Sequence, residues 1–505
     1  MVVLAKQQLF TFITQSACVI LLSGVVGKGV DNMIVFLFSD EMTKRTEKKK
    51  SQPSPCHPGQ VIDAMIDSLD EEGIGCAVFE QMALKVGGVF PGEHVRVKVM
   101  EVGRNRVFGR AVKILRRSPD RLIAPACLSA ECDACPFVHM KYRAQLTWKE
   151  DFLARELKRF FPLDQLDIHP ILPSPKERGY RNSAKLVVAG KSGEPLIGIY
   201  RKNSHEVVDI ADCPLHQPLI NKVVHAVKAG IKKGKVPIFS AKSGNGLLRY
   251  LAVRVSEETG RAMVVFITAE RSYNEIHHLA KYVTAAVPEV AVVVQNVNGS
   301  TGNVIFGQKD YFLTKDASLV DSIGSVRFSI SPRSFFQINS GGARLIYEQV
   351  RELAQLSGTE KVLDLYCGVG GISFFLAGQA REVVGIETIE PAVADAEKNA
   401  ALNGITNCRF IAGDAVHHLA ELARDGAKVD LIVLNPPRKG CDVNVLHQAA
   451  QLAPHRMIYV SCSPQSLAQD LSVLFNAGYV PRTIQPIDMF PQTPHMETVA
   501  LLEKP

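Results

Sequence analysis

Two side chains in the C-terminal part of the sequence could together carry out covalent chemistry. Cys462 lies in the stretch Ser-Cys-Ser-Pro, directly after an apolar run, and Glu497 ends the stretch Pro-His-Met-Glu. A thiolate is a good nucleophile, and a carboxylate can abstract a proton. Taken singly, such a cysteine is more often buried filler and such a glutamate a surface charge. Their occurrence in one chain with the nucleoside-binding motifs of the next paragraph favours a catalytic role, as nucleophile and as base.

A glycine-rich turn with acidic residues at neighbouring strand ends predicts a nucleoside site. The turn begins at Asp364 and reads Asp-Leu-Tyr-Cys-Gly-Val-Gly-Gly, while Glu387 and Asp414 stand at the ends of the next two predicted strands. A carboxylate at the position of Glu387 can accept both hydroxyls of a ribose. Position 373 lacks the third glycine of a dinucleotide fingerprint. The site therefore favours S-adenosylmethionine, which has a ribose but no phosphate, over a dinucleotide.

The elements that position these residues alternate between strand and helix. Apolar segments at 361–365, 382–387, 408–412, 429–434 and 457–460 are separated by helical stretches. Nearly continuous apolar strands are typical of a doubly wound parallel sheet that is buried on both faces. Ligands of such a sheet bind at the carboxyl ends of its strands. The fold class is therefore α/β, with a Rossmann-like C-terminal domain.

Upstream of that domain, which is predicted to begin at residue 329, the pattern changes twice. Residues 57–118 alternate apolar and polar positions around frequent glycines, which predicts a small β-barrel of OB type. Residues 119–328 predict a mixed α+β central domain. The apolar runs in residues 1–41 are shorter than the roughly 20 residues of a membrane span. We interpret 1–41 as an extension outside the native protein and 42–56 as a basic, flexible lead-in.

Composition and charge exclude several classes of protein. With 505 residues, 46% of them hydrophobic and 22% charged, the chain is globular and multidomain rather than disordered or fibrous. The formal net charge of +7 is concentrated between Arg96 and Arg121, where nine basic residues accompany two acidic ones. A basic face on a small barrel favours RNA binding, with solvated surface charge as the alternative. Eleven cysteines are too few for a disulfide scaffold and predict a reduced, cytoplasmic location.

Four of the cysteines could hold a metal centre. Cys127, Cys132 and Cys135 are clustered, and Cys213 stands far from them, directly before a proline. The close Cys132-x2-Cys135 pair favours a metal, either zinc or an iron–sulfur cluster. A remote fourth ligand followed by proline is more typical of cluster ligation than of a compact zinc ribbon.

Together these motifs resemble the family of RNA uracil-5 methyltransferases, and specifically its 23S ribosomal RNA branch with an N-terminal TRAM domain and an iron–sulfur cluster. The resemblance extends from about residue 60 to the C-terminus. It implies that Cys462 adds to C6 of uracil and that Glu497 removes the C5 proton after methyl transfer from S-adenosylmethionine. It also implies a 4Fe–4S cluster on the four cysteines, 23S ribosomal RNA as the partner, and a TRAM domain at 57–118. The cofactor contacts that it implies come from Gln337, Tyr366, Gly371, Glu387, Asp414 and Asn435.

Two positions depart from the family's pattern. The family usually has Asp where Asn435 stands in Asn-Pro-Pro-Arg, and it often has Asn where Gly371 stands. Asn435 can form hydrogen bonds but offers no carboxylate, and Gly371 can contribute only its backbone. The stretches Arg178-Gly-Tyr180-Arg181 and Tyr200-Arg201-Lys202 are candidates for gripping phosphates and stacking on unpaired RNA, with solvated loop charge as the alternative.

Three alternative functions stay open. The first is a uracil-5 methyltransferase that acts on transfer RNA. The predicted barrel and the clustered cysteines are the main features that favour ribosomal RNA over transfer RNA as the substrate. RNA cytosine-5 methyltransferases typically carry a cysteine directly after the proline of the fourth-strand motif, whereas Cys441 lies four residues beyond Pro437. A non-catalytic RNA-binding assembly factor is disfavoured because Cys462, Glu497 and Gln337 are retained. A monomer that does not associate with membranes is the expected state.

Overall fold

The structure is a computed structural model that describes residues 10–14, 17–21, 56–124, 127, 132–202, 204–210, 212–300, 302 and 304–505. The chain divides into two units, Met1–Pro55 and Cys56–Pro505. In the first unit, strands β1 (Phe10–Thr14) and β2 (Ala17–Leu21) pair antiparallel. The rest of the predicted extension, and the lead-in up to residue 55, lie outside the described residues.

A six-stranded sheet with its own hydrophobic core opens the second unit. Its strands are β3 (Val61–Met65), β4 (Ser68–Leu69), β5 (Gly75–Phe79), β6 (Met82–Val86), β7 (His94–Val102) and β8 (Arg106–Arg116). The order is β3-β7-β8-β6-β5-β4, and every pair is antiparallel except β6 with β8. Val95, Val97 and Val99 of β7 are fully buried, because alternate side chains of a strand point to the same face.

The middle of the chain contributes a seven-stranded sheet and a separate hairpin. Its elements are α1 (Tyr142–Leu157), a 3₁₀ turn (Leu163–Gln165), β9 (Asp167–Ile168), β10 (Ser183–Lys191), β11 (Glu194–Tyr200), β12 (Val207–Asp209), α2 (Pro218–Gly234), β13 (Leu248–Val255), β14 (Ala262–Thr268), α3 (Asn274–Ala286), β15 (Val290–Val297), β16 (Lys309–Phe312), β17 (Leu319–Ile323) and β18 (Val326–Ile330). The sheet order is β12-β11-β10-β13-β14-β15-β16. The buried faces of α2 and α3 pack on this sheet in one core. Strands β17 and β18 pair only with each other among the described elements.

The C-terminal part forms an eight-stranded sheet that confirms the predicted parallel core. Its elements are α4 (Ser340–Ala354), β19 (Lys361–Leu365), α5 (Gly371–Ala377), β20 (Glu382–Glu387), α6 (Glu390–Leu402), β21 (Cys408–Ala412), α7 (Ala415–Arg424), β22 (Leu431–Leu434), α8 (Val443–Gln451), β23 (Arg456–Ser461), α9 (Pro464–Asn476), β24 (Val480–Ile487) and β25 (Glu497–Glu503). The order is β21-β20-β19-β22-β23-β25-β24-β9. The first five strands are parallel, whereas β25 runs antiparallel between β23 and β24.

Two elements from the middle of the chain belong to this C-terminal layer. Strand β9 pairs with β24 at the sheet's edge. Helix α1 places Phe152 and Leu153 in the same core as Tyr459 of β23 and Met496 before β25. A domain boundary at residue 329 therefore separates β9 from the sheet with which it pairs, and α1 from the core in which it packs. Among the described helices, none combines the length and the apolar character that crossing a membrane requires.

Candidate active site and thiol cluster

Cys462 lies in a short turn between β23 and α9, which local hydrogen bonds hold in place. The Ser461 hydroxyl accepts a hydrogen bond from the Ser463 N–H at 3.1 Å. Ser463 in turn caps α9, because its hydroxyl accepts the Ser466 N–H at 3.3 Å. The thiol is thereby presented at the carboxyl edge of the parallel strands, where ligands of this fold bind.

Glu497 is the residue that the sheet brings next to this thiol. It is the first residue of β25, it is 9% exposed, and its neighbour Thr498 pairs with Ser461 at the end of β23. Burial raises the pKa of Glu497 to about 8, and the nearby Arg438 opposes that rise. Burial, together with the Glu497 carboxylate, raises the pKa of the Cys462 thiol to about 11. The nucleophile and the base predicted from sequence are therefore neighbours.

Arg438 is a third member of this group, and sequence reasoning gave it no role. Its guanidinium lies within hydrogen-bonding reach of the Cys462 thiol, and its charge lowers the pKa of both Cys462 and Glu497. A cation beside a cysteine stabilises the thiolate form, which is the nucleophile. The available signal was the place of Arg438 in the Asn-Pro-Pro-Arg stretch, directly after the apolar strand β22.

The glycine-rich turn carries two carboxylates with free hydrogen-bonding capacity. Asp364 is fully buried, and the Ser373 hydroxyl donates to its Oδ2 at 2.6 Å. Its other oxygen, Oδ1, has no hydrogen-bond partner in the part of the chain that the structure describes. Burial raises the pKa of Asp364 to about 7. Glu387 accepts the Gly368 N–H at 3.1 Å on Oε2, and the Ile389 N–H at 2.9 Å and the Thr388 hydroxyl at 3.2 Å on Oε1. Oε2 therefore keeps a lone pair for a ribose hydroxyl.

Tyr347 of α4 connects Gln337 to this turn and was missed at the sequence level. Its hydroxyl is within hydrogen-bonding reach of the Gln337 side chain. Burial raises the pKa of Tyr347, and the charges of Asp364 and Glu497 add to that rise. A Cβ atom on Gly371 would approach the Tyr347 hydroxyl to 2.5 Å. Position 371 therefore excludes the asparagine that the family often has, since Tyr347 fills the space. A buried tyrosine on a helix looks like ordinary core in a sequence, so no signal marked it.

The remaining predicted cofactor residues lie at the same edge of the sheet. Tyr366 directly follows β19 with a positive φ of 62°. Burial raises the pKa of Tyr366, and the Asp414 charge adds to that rise. Asp414 caps α7 by accepting the Val416 N–H at 2.8 Å. Asn435 directly follows β22, and its N–H donates to the Leu365 carbonyl at 3.2 Å. The geometry thus brings the predicted residues together, while their contacts to a cofactor stay predictions.

The four predicted metal-ligating cysteines also converge, although Cys213 is remote in sequence. All four are free thiols. Burial raises the pKa of Cys135 to about 12; the nearby Cys213, Cys132 and Cys127 add to this rise and Arg181 opposes it. Such mutual effects require proximity, so the donor set suits a thiolate-ligated centre. Within the described ranges, no group of three or more His, Cys, Asp or Glu side chains is arranged to hold a metal ion. The iron–sulfur cluster stays a prediction.

The structure revises the predicted RNA contacts. Tyr180 is only 2% exposed and its hydroxyl donates to the Pro491 carbonyl at 3.0 Å, so the prediction that it stacks on RNA is wrong. Tyr200 is 42% exposed and keeps that possibility. In the basic segment, Arg121 forms a largely buried ion pair with Glu93 at 2.6 Å. This arginine therefore stabilises the fold rather than offering a free charge.

Comparison with known proteins places this site in a family. The family model described as tRNA (Uracil-5-)-methyltransferase matches residues 141–505. An uncharacterized RNA methyltransferase of Geobacter sulfurreducens is 55% identical over 447 residues, covering 88% of this chain and 90% of that protein. One from Halalkalibacterium halodurans is 37% identical, covering 90% of this chain and 99% of that protein.

A solved structure extends the similarity to three dimensions. The tRNA (uracil-54, C5)-methyltransferase of Pyrococcus abyssi, in complex with S-adenosyl-L-homocysteine, superposes with a TM-score of 0.70 at 27% identity. The match covers 87% of this chain and 100% of that one. With a family model that spans most of the chain and relatives well above 30% identity, the chain belongs to the tRNA (uracil-5-)-methyltransferase family.

Proposed function

We propose that the protein methylates C5 of a specific uridine in 23S ribosomal RNA, with S-adenosylmethionine as methyl donor. The observation that carries this proposal is the group formed by Cys462, Glu497 and Arg438 beside a nucleoside site. Uracil C5 is a poor nucleophile, so its methylation needs a nucleophile to activate the ring and a base to finish the reaction. This group supplies both.

The residues around the glycine-rich turn fit S-adenosylmethionine. Glu387 keeps a lone pair on Oε2 that can accept a ribose hydroxyl, and Asp364 keeps one buried oxygen without a partner among the described residues. Space is open over Gly368, because a Cβ there would meet nothing within 4 Å. When bound, the cofactor supplies an electrophilic methyl group on its sulfonium. Gln337, Tyr366, Gly371, Asp414 and Asn435 would complete its surroundings.

The reaction follows from what the two reactive residues can do. The Cys462 thiolate adds to uracil C6, and the ring electrons move to the C4 oxygen as an enolate. C5 of the enolate then takes the methyl group as the sulfur–methyl bond breaks, the C4 carbonyl forms again, and S-adenosylhomocysteine is the leaving group. Glu497 removes the C5 proton, the C5–C6 double bond forms again, and the bond between C6 and Cys462 breaks to release the thiolate. One proton is released for each methyl group transferred.

The electrostatics of the group suit this order of events. With a pKa of about 8, Glu497 is mostly neutral at pH 7 and does not repel the Cys462 thiolate as an anion would. Arg438 stabilises that thiolate. Once the thiolate has added to the ring, its charge has moved away to the uracil oxygen. The carboxylate form of Glu497 is then less disfavoured, at the step that requires a base.

We include a 4Fe–4S cluster in the proposal, and the electrostatic effect that the other three thiols have on Cys135 supports it. Cys127, Cys132, Cys135 and Cys213 would hold it, since their donor atoms are those that such clusters use. Methyl transfer needs no electron transfer, so these cysteines would shape the structure or position RNA. Free thiols persist in a reducing compartment, which makes a cytoplasmic location part of the same proposal.

Ribosomal RNA is favoured by the basic sheet before residue 118 and by the cysteine set, both of which led to the resemblance. We propose that this sheet is a TRAM domain that grips RNA phosphates. Transfer RNA is the second candidate, favoured by the overall likeness to the Pyrococcus abyssi tRNA enzyme. In either RNA, the target uridine must leave its stack to reach Cys462.

Tritium release from RNA tests the proposal directly. Transcripts of 23S ribosomal RNA and of transfer RNA, carrying 5-tritiated uridine, are mixed with anaerobically purified protein and S-adenosylmethionine. We expect release from the ribosomal transcript alone. Release from transfer RNA alone would keep the chemistry and overturn the target, and no release from either would overturn the uracil-5 reaction. The variant Cys76→Ala, which removes a thiol outside the active site, is the matched control for Cys462→Ala.

A further inference from the structure

The loop from Asp488 to Met496 joins β24 to β25 and delivers Glu497 to the site. Most of this loop is buried: Asp488, Met489 and Met496 are fully enclosed, and Gln492 is 5% exposed. Its conformation is unusual, because Gln492 has a backbone φ of 71°, a value that residues other than glycine rarely adopt. Such a conformation persists only where surrounding contacts determine it. Those contacts come from the distant segment that includes α1.

A reciprocal pair of amides fixes the backbone at Gln492. The Gln492 N–H donates to the Oε1 of Gln145 at 2.8 Å, and the Nε2 of Gln145 donates back to the Oε1 of Gln492 at 2.9 Å. The Gln492 carbonyl accepts the Phe137 N–H at 3.1 Å. Gln145 itself is fully buried on α1 and also donates to the carbonyls of Phe137 and Met140. Backbone and side chain of Gln492 are thus both held by one segment.

One helical turn further along α1, a second contact holds the same loop. Lys149 is fully buried, and its Nζ donates to the Oδ1 of Asp488 at 2.5 Å and to the Phe490 carbonyl at 3.2 Å. Residues four apart lie on the same face of a helix, so Gln145 and Lys149 form one buried polar face. This face holds the loop at two points before Glu497.

We propose that Gln145 and Gln492 are positioning residues for proton abstraction by Glu497. The inference rests on the proposed function, in which Glu497 acts after methyl transfer. Cys462 is held by serine hydroxyls in its own turn, and its turn is connected to Glu497 through the strand pairing of Ser461 with Thr498 rather than through the amide pair. Loosening the amide pair therefore displaces the base and leaves the nucleophile in place. A displacement of about 1 Å at a reacting group can slow a step by roughly 100-fold.

Two labels separate the two steps in a single turnover. Methyl-labelled S-adenosylmethionine reports methyl transfer, and tritium at C5 of the RNA reports proton abstraction, both with the full-length protein. In Gln145→Met, which keeps the volume and removes the amide, we expect methyl transfer near that of the unaltered protein. We expect tritium release to fall by about 10- to 100-fold, and a methylated protein–RNA adduct to survive denaturation. Gln492→Gly tests the partner residue and removes the backbone strain.

Asp151→Asn, on the exposed face of α1, is the matched control and keeps both rates. An equal loss of methyl transfer and tritium release in both amide variants would overturn the inference, since a merely structural role predicts that result. A ratio of tritium release to methyl transfer equal to that of the unaltered protein would also overturn it. The variant Glu497→Gln separates this outcome from failure of the proposed function. If Glu497→Gln forms no methylated adduct, the assigned base is wrong and the inference falls with it.

Discussion

The two reactive residues are held in place by opposite means. Cys462 stands in a turn whose hydrogen bonds span two or three residues, from Ser461 to Ser466. Glu497 follows a buried loop whose partners, Gln145 and Lys149, lie more than 300 positions away in the chain. A local turn forms wherever its short sequence allows it, whereas the loop forms only when the whole C-terminal layer has assembled. The nucleophile is therefore a local feature and the base a tertiary one.

Removing each reactive group should give the largest effects and distinguish their roles. Cys462→Ala should abolish both methyl transfer and tritium release, because the ring is then not activated. Glu497→Gln should still methylate, but proton abstraction should slow by roughly 100- to 10,000-fold, the usual contribution of a general base. Of these two variants, a quenched single-turnover assay on a denaturing gel would show the methylated adduct with Glu497→Gln and not with Cys462→Ala. An adduct that carries methyl label in Cys462→Ala would contradict the assignment of the nucleophile.

Breaking the buried ion pair should destabilise the protein strongly, because the base's loop depends on it. Lys149→Met leaves the Asp488 carboxylate buried without its cation, and Asp488 Oδ2 already lacks a partner among the described residues. We expect a loss of about 3–5 kcal/mol in the free energy of unfolding, measured by urea denaturation. The double variant Lys149→Met/Asp488→Leu should recover most of the loss, since no isolated charge remains. A single variant as stable as the parent would show that the loop does not need this pair.

Sequence reasoning succeeded where structure is local and failed where it is tertiary. The parallel strands carry their own apolar runs, and the serine-flanked Cys462 sits at the end of one of them, so both could be predicted. Strand β25 was missed because its place between β23 and β24 depends on pairing with both. Lys149 appears on a helix as an ordinary surface lysine, and only its contact with Asp488 shows that it is buried. No spacing in the sequence encodes such a contact.

The pH dependence of the two steps should separate the base from the nucleophile. Because the pKa of Glu497 is about 8, tritium release from the methylated adduct should speed up as pH increases through 8 and level off above it, whereas methyl transfer should keep rising toward the Cys462 pKa of about 11. Arg438 lowers that pKa, and Cys462 and Tyr347 are titrating groups close enough to interact with the carboxylate. Arg438→Met should therefore move the midpoint of the rise in tritium release to higher pH, by about one pH unit or more.

In Glu497→Gln the rate at which the methylated adduct breaks down should not vary with pH around 8, which provides the control for this profile. A midpoint that moves downward in Arg438→Met would mean that the guanidinium does not act on Glu497 as its position indicates.

The smallest effect should come from the contact that holds the nucleophile's turn. Ser463→Ala removes the cap of α9, and a lost serine cap costs about 0.5–2 kcal/mol of stability. We expect urea denaturation to show a loss in that range, well below that of Lys149→Met. Ser472→Ala on the same helix loses only a bond to the Gln469 carbonyl and should be close to neutral. Both labelled steps should slow together in Ser463→Ala, because both depend on the Cys462 adduct. A selective loss of proton abstraction would show that the two residues are not held independently.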